Sequence, residues 1–163
     1  MAIAAGTILI SSPLLDDANF EKAVIIIADH NEKGALGFVI NKLFPRRLNE
    51  LVEFKNSKAF ALYAGGPVDT ENLFMLHRRN DSIKGGKHLF GNVFMGGDFK
   101  QAVQQINNNG IDNTGIKLFV GYCGWDNMEL EAEIEEGSWK IIKASEEIIF
   151  NNEGGLWEKL MNE

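Results

Sequence analysis

The sequence predicts one domain mixing helices and strands over residues 1–163, and three observations predict it. A β-branched run, Val24-Ile25-Ile26-Ile27, is followed by a polar loop ending in Gly34 and a second apolar run, Ala35 to Asn41. The segment Asp98 to Asn108 carries the periodicity and end signals of an amphipathic helix. The expected strands and helices do not alternate strictly, which disfavours a simple doubly wound sheet. A chain of 163 residues has the ordinary size of one domain. At that length about 70% of the unfolded surface can be buried, so neither a disulfide nor a structural metal is needed for folding. The three prolines never cluster, and no Pro-rich hinge divides the chain.

The elements follow in order. Thr7 to Ile10 is a short strand stopped by Ser11-Ser12-Pro13, and Leu14 to Phe20 is a loop or a short helical turn. Ala23 to Ala28 reads as a strand buried on both faces, because its apolar run does not alternate. With Ala35 to Asn41 it forms the strongest hairpin signal in the chain. Leu48, Leu51 and Val52 sit at helical spacing within Leu48 to Phe54. Phe60 to Ala64 is a third core strand, halted by Gly65-Gly66-Pro67, and Asn72 to His77 is a fourth. Arg78 to Lys87 is polar and reads as an exposed loop. In the Asp98 helix, Phe99, Ala102, Val103 and Ile106 form the apolar stripe, Asp98 with Gln101 has capping-box spacing, and Asn109-Gly110 is the stop. Ile116 to Tyr122 is a strand, Asn127 to Glu136 a helix, Trp139 to Ala144 a late strand, and Gly155 to Asn162 a short amphipathic helix.

Charge and cysteine content narrow the function classes. Twenty-three acidic residues against 16 Lys and Arg give a net charge of -7. Phosphate-backbone binding draws on clustered cations, and the densest basic spots are the pairs Arg46-Arg47 and Arg78-Arg79. Direct nucleic-acid binding is therefore disfavoured. Cys123 is the single cysteine, which excludes an intramolecular disulfide and a multi-cysteine zinc site. The three histidines, His30, His77 and His88, show no metal-ligand spacing, so no metal or cofactor is expected. The N-terminus makes a poor signal peptide, and no segment has membrane-spanning length, so no membrane association and a cytoplasmic location are expected.

Four motifs can carry function, each with a plainer structural reading. Gly121-Tyr122-Cys123-Gly124-Trp125 is expected at a strand-to-helix corner, where backbone amides can cradle an anion or a thiol can gain nucleophilicity. The same residues also suit a packed turn, with Tyr122 and Trp125 as anchors and Asp126 with Glu129 as a capping box, and the acidic first turn would repel an anion. Gly65-Gly66-Pro67 lacks a P-loop ending and reads as a rigid turn able to line a pocket. His77 can be a general base or a locally hydrogen-bonded core residue. Gly37 within a strand marks a bulge or a close backbone, and Asn41 suits a strand end. Asp16, Asp17 and Asp29 could form an acid pair, but capping and solvation explain them equally well.

Taken in order, these segments resemble the YqgE/AlgH family. The resemblance runs through Gly6 to Pro13, Phe20 to Ile27, Gly34 to Asn41, Gly65 to Val68 and Leu73 to His77. It continues through Gly121 to Trp125, Leu130 to Ile134 and Gly137-Ser138-Trp139. It implies an α+β fold with a bifurcated mixed β-sheet curled into a pseudo-barrel and helices packed around it. It also implies a cytosolic bacterial protein with a role in transcriptional regulation, and supplies no catalytic residues. The chain departs from the family pattern at Cys123, where a small residue such as Ala is usual, and at Asp126 to Glu129, where Gly and Gln are expected.

Three function classes follow. The first is a non-enzymatic regulatory or interaction protein acting through a protein partner. The second is a small-molecule-binding domain or enzyme, its pocket drawing on Gly65, Gly66, Pro67, His77, Gly121, Tyr122, Gly124 and Trp125. The third is a structural component of an assembly.

Overall fold

In the computed structural model the described residues are 3–15, 17, 18 and 20–163. Asp16 and Asn19 lie outside them, so the readings of Leu14 to Phe20 and of an Asp16 acid pair fall partly outside as well. Strand β2, Val24–Asn31, is buried from Val24 to Ala28, and β1, Ile8–Ser11, is buried throughout. Their alternating side chains supply two different cores. Ile8, Ile10, Val24 and Ile26 face one cluster; Leu9, Ile25 and Ile27 face another. This is why the β2 run shows no polar alternation: both faces are covered.

The hairpin forms as expected, with β3 at Gly34–Val39 antiparallel to β2. β2 extends past the expected boundary to Asn31, leaving Glu32 and Lys33 as the tight turn. A register shift between Ile27 and Asp29 lies opposite Gly37. Asn41 fulfils its strand-end role: its Oδ1 accepts from Val24 N–H at 2.9 Å, and its Nδ2 donates to Lys22 C=O at 2.9 Å.

The remaining strands are β4 (Leu62–Ala64), β5 (Val68–His77), β6 (Lys87–Phe90), β7 (Val93–Met95), β8 (Ile116–Asp126) and β9 (Trp139–Ile142). Among the described residues they build a nine-stranded mixed sheet in the order β6-β7-β5-β8-β3-β2-β1-β9. The sheet forks at β8. One edge of β8 pairs antiparallel with β5, and β4 adds in parallel along Leu118 to Val120. From Cys123 to Asp126 its partner is β3. Gly65 stitches the fork, donating its N–H to Val120 C=O and accepting from Val39 N–H, both at 2.9 Å. The sheet is bifurcated and curled but not closed: β6 and β9 remain its two ends.

Helix α1, Phe99–Asn107, has the expected cap, with Asp98 accepting from Gln101 N–H at 3.1 Å. The reciprocal half of the box is replaced: Gln101 Oε1 accepts from Lys84 N–H, and Asp98 N–H donates to Lys84 C=O. Helix α2, Glu129–Glu135, starts two residues later than its sequence suggests because Met128 adopts φ 67°. Leu48–Glu50 and Val52–Phe54 are two 3-10 turns rather than one helix, since Leu51 between them is extended. The β6–β7 hairpin and α3, Glu146–Ile149, carry no strong local signal and are absent from the sequence reading. Ser145 caps α3 by accepting from Ile148 N–H at 3.4 Å. Arg78 to Lys87 is mostly a surface loop, but Ile83 is fully buried and pins it. Helix α4, Leu156–Met161, covers the Ile8–Ile26 face through Leu156 and Leu160.

Candidate functional site

The expected corner at Gly121 to Trp125 does not exist. All five residues lie inside β8, which runs on to Asp126. Gly121 adopts φ 74°, and this kink carries the strand from its β5 and β4 partners to β3 without ending it. Gly66 crosses it closely: a Cβ on Gly121 would lie 2.3 Å from Gly66 C=O, and one on Gly66 would lie 2.2 Å from Tyr122 C=O. Gly65, Gly66, Gly121 and Tyr122 are thus brought together, as a backbone crossing rather than an anion cradle. Pro67 is exposed beside them, and Gly124 is exposed opposite Leu36.

Cys123 is sealed under this crossing. It is 1% exposed, its Sγ donates to Gly65 C=O at 3.4 Å, and burial pushes its thiol up to about 12. The thiolate is the nucleophilic form, so this environment opposes thiol chemistry. Trp125 is buried with Trp139 and Phe20, and both indole N–H groups donate to Glu133 Oε1, at 3.1 and 3.0 Å. The half of the expected capping box that forms is Asp126 N–H to Glu129 Oε1, at 3.1 Å.

His77 lies at the other end of the sheet. It pairs with Ile116, nine residues before Trp125 on β8, a separation of up to about 30 Å at strand rise. Its ring is fully buried. Nε2 donates to Gly96 C=O at 3.0 Å and Nδ1 accepts from Arg79 N–H at 3.2 Å. Both nitrogens are therefore committed to backbone, and burial holds its pKa below the ordinary histidine value. The eight candidate residues do not converge on one cavity.

A sizeable concavity lies elsewhere, on the outer side of β5. It is a cleft of about 720 Å³, within the ordinary range for a binding site. Leu73, Met75 and Val120 contribute from the sheet. Phe44, Leu51 and Phe54 come from the β3–β4 connection, and Phe99 comes from α1. The Phe54 and Phe99 rings stand 5.6 Å apart. Val52, on the lip, is 86% exposed. The charged rim is Arg46, Glu53 and Glu71, with Arg46 over the Phe44 ring at 5.7 Å. Two candidate residues adjoin the cleft without lining it: Gly121 packs against Thr70, and His77 holds Gly96 in place. Phe44 and Phe54 stand in an irregular connection and share no period, so the sequence carries no pattern that marks this site.

A second group without a sequence signal is Lys117, which is 1% exposed within β8. Its Nζ donates to Ile40 C=O at 3.0 Å and sits 4.1 Å from the Tyr63 ring centre. Burial lowers its pKa to about 7. Among the described residues, no group of three or more His, Cys, Asp or Glu side chains is placed to hold a metal, and no helix is long and apolar enough to cross a membrane.

Comparison with known proteins agrees with the fold and with the resemblance in the sequence. The chain is 37% identical over 148 residues to UPF0301 protein CT0663 of Chlorobaculum tepidum, covering 91% of this chain and 79% of that one. It is 34% identical over 158 residues to a UPF0301 protein of Bacteroides thetaiotaomicron, covering 96% and 80%. Among solved structures, protein DIP2367 of Corynebacterium diphtheriae shares the fold, with a TM-score of 0.80 over 99% of this chain and 87% of that one, at 21% identity. The solution structure of AlgH from Pseudomonas aeruginosa aligns with a TM-score of 0.77 at 27% identity, over 96% of this chain and 86% of that one. The profile of the AlgH-like family, DUF179, matches residues 8–163, and the chain belongs to that family.

Proposed function

We propose that this protein is a non-enzymatic, cytoplasmic regulatory protein that acts through a protein partner bound in the β5 cleft. The observation that carries this reading is the cleft itself. It presents aromatic and aliphatic side chains to solvent, and its lip residue Val52 is 86% exposed. Large exposed apolar patches rimmed by polar groups mark interaction sites. The groups best suited to covalent or acid–base chemistry are used elsewhere: Cys123, His77 and Lys117 are each buried and bonded to a backbone carbonyl. A role in transcription, which the family resemblance implies, would run through the partner, because a chain of net charge -7 is poorly suited to gripping a phosphate backbone.

The test is a photo-crosslinking residue at Val52 in living cells, with a second at Lys143 as a control. Val52 should capture a discrete partner that Lys143 does not. Equal, diffuse labelling from both positions would remove the support for this site. Tight, sequence-selective DNA binding by the pure protein in a gel shift would remove the partner-mediated reading of regulation.

A further inference from the structure

We infer that the cleft takes an extended apolar segment of a partner protein, carrying a basic residue, which adds as a strand to the outer edge of β5 at Leu73. This rests on the reading of the cleft as a protein-interaction site.

The backbone directions decide the form of the occupant. Val120 C=O accepts from Gly65 N–H, so Val120 turns its polar groups toward β4. Alternation then turns those of Lys117 and Phe119 toward β5, where Leu76 and Phe74 are their partners in register. Leu73 and Met75 therefore point their N–H and C=O groups to the outer edge. β7 covers that edge only as far as Leu76↔Met95, and Gly96 N–H takes Met75 C=O at 3.0 Å. There the covering strand ends. Gly96 and Gly97, at φ 70° and 113°, swing the chain away into α1. Among the described residues no strand pairs with that edge at Leu73, which lines the cleft in the line β7 would have continued. An incoming strand has its hydrogen-bonding groups provided, and its alternate side chains face the contacting rings of Phe54 and Phe99 on the cleft wall.

Charge selects among strands. The rim holds two carboxylates, Glu53 and Glu71, against one guanidinium, Arg46. The whole chain carries -7. A segment with Lys or Arg beside its apolar residues is attracted by both the rim and the overall field. A second copy of this chain would bring the same negative charge and is disfavoured on that ground.

The experiment uses the intact protein and selects binders from a library of random decapeptides. The enriched sequences should alternate apolar and polar residues, carry Lys or Arg, and compete with the Val52 crosslink. In the best of them, N-methylation of the amide facing β5 should weaken binding about five- to tenfold, the equivalent of one lost hydrogen bond. The unmethylated peptide should slow hydrogen exchange at Leu73. The double variant Glu53→Lys, Glu71→Lys should shift the preference toward acidic flanks. Enrichment of helical spacing, or indifference to N-methylation, overturns strand addition while leaving the interaction site standing. So does a Val52 crosslink that no selected peptide displaces, or protection of Leu73 by dimerisation alone. Absence of both peptide binding and a discrete Val52 crosslink overturns the inference and the reading beneath it.

Discussion

Trp125 is fastened to Glu133 by an indole-to-carboxylate hydrogen bond of 3.1 Å, linking the last residues of β8 to the middle of α2. The same oxygen accepts from Trp139 at 3.0 Å, so one carboxylate satisfies two buried indoles from strands that are not neighbours in the sheet. A buried donor left without its acceptor costs about 1–3 kcal/mol. Glu133→Ala should therefore lower stability by about 2–4 kcal/mol, whereas Glu133→Gln, which keeps an acceptor oxygen, should lose less than half of that. Urea unfolding followed by tryptophan fluorescence gives both values. Equal losses for the two variants would mean that water replaces the carboxylate and that the clamp contributes little.

Lys117 couples the fork of the sheet to pH. Burial lowers its pKa from 10.5 to about 7, so between those values the unfolded chain holds a proton that the folded chain has released. Stability contributed by this group accordingly rises with pH across that window and is flat below it. The slope is bounded by about 1.4 kcal/mol per pH unit. Lys117→Met removes the titrating group while filling most of the same volume. Subtracting its stability from that of the parent between pH 7 and 9 should leave a positive slope, and a zero slope would show that the folded chain keeps the proton.

His77 acts on the acid side. Its folded pKa lies below 6.5 because the ring is desolvated, the Gly96 carbonyl only partly offsetting this. As pH falls below 6.5 the unfolded chain binds a proton that folded His77 refuses, and the stability present above 6.5 is lost progressively until the folded value is reached. His77→Gln retains a donor and an acceptor without titrating. Its acid limb should be shallower than the parent's between pH 6.5 and 5 in thermal melts, whatever its absolute stability. A parallel limb would assign the acid sensitivity to other groups.

These groups show which parts of the molecule were legible in the sequence. β1, β2, β3 and α1 were legible because each carries its own local signature: a β-branched run, a turn ending in Gly34, or a side-chain cap at Asp98. The end of β8 was misplaced because Gly121 and Gly124 look like a turn. Only the pairing of Cys123 with Gly37 and of Trp125 with Ala35 shows the strand continuing. Lys117 resembles any surface lysine in sequence, since its burial depends on Ile40 and Tyr63, which reach it only through the fork. The cleft was illegible for a similar reason. Phe44, Phe54 and Phe99 belong to separate segments with no shared period, and the opening at Leu73 exists because β7 stops short.

The crossing of Gly66 over Gly121 allows two effects of glycine to be separated. Gly121 has φ 74°, and a Cβ there would press on Gly66 C=O at 2.3 Å and Val68 C=O at 2.9 Å. Gly137 has a similar φ of 85°, but nothing lies within 4 Å of its Cβ position. Gly137→Ala therefore reports backbone strain alone, of about 1 kcal/mol. Gly121→Ala adds a collision of the new methyl with backbone carbonyls that cannot yield without opening the β4–β8–β3 junction. It should cost at least about 2 kcal/mol more than Gly137→Ala. Because Thr70 lies against Gly121 and also lines the cleft, the collision should displace the β5 edge as well. Amide spectra should then show shifts at Thr70 to Leu73 in Gly121→Ala that are missing in Gly137→Ala. Matching stabilities and spectra for the two variants would show that the close crossing imposes no constraint on the strand.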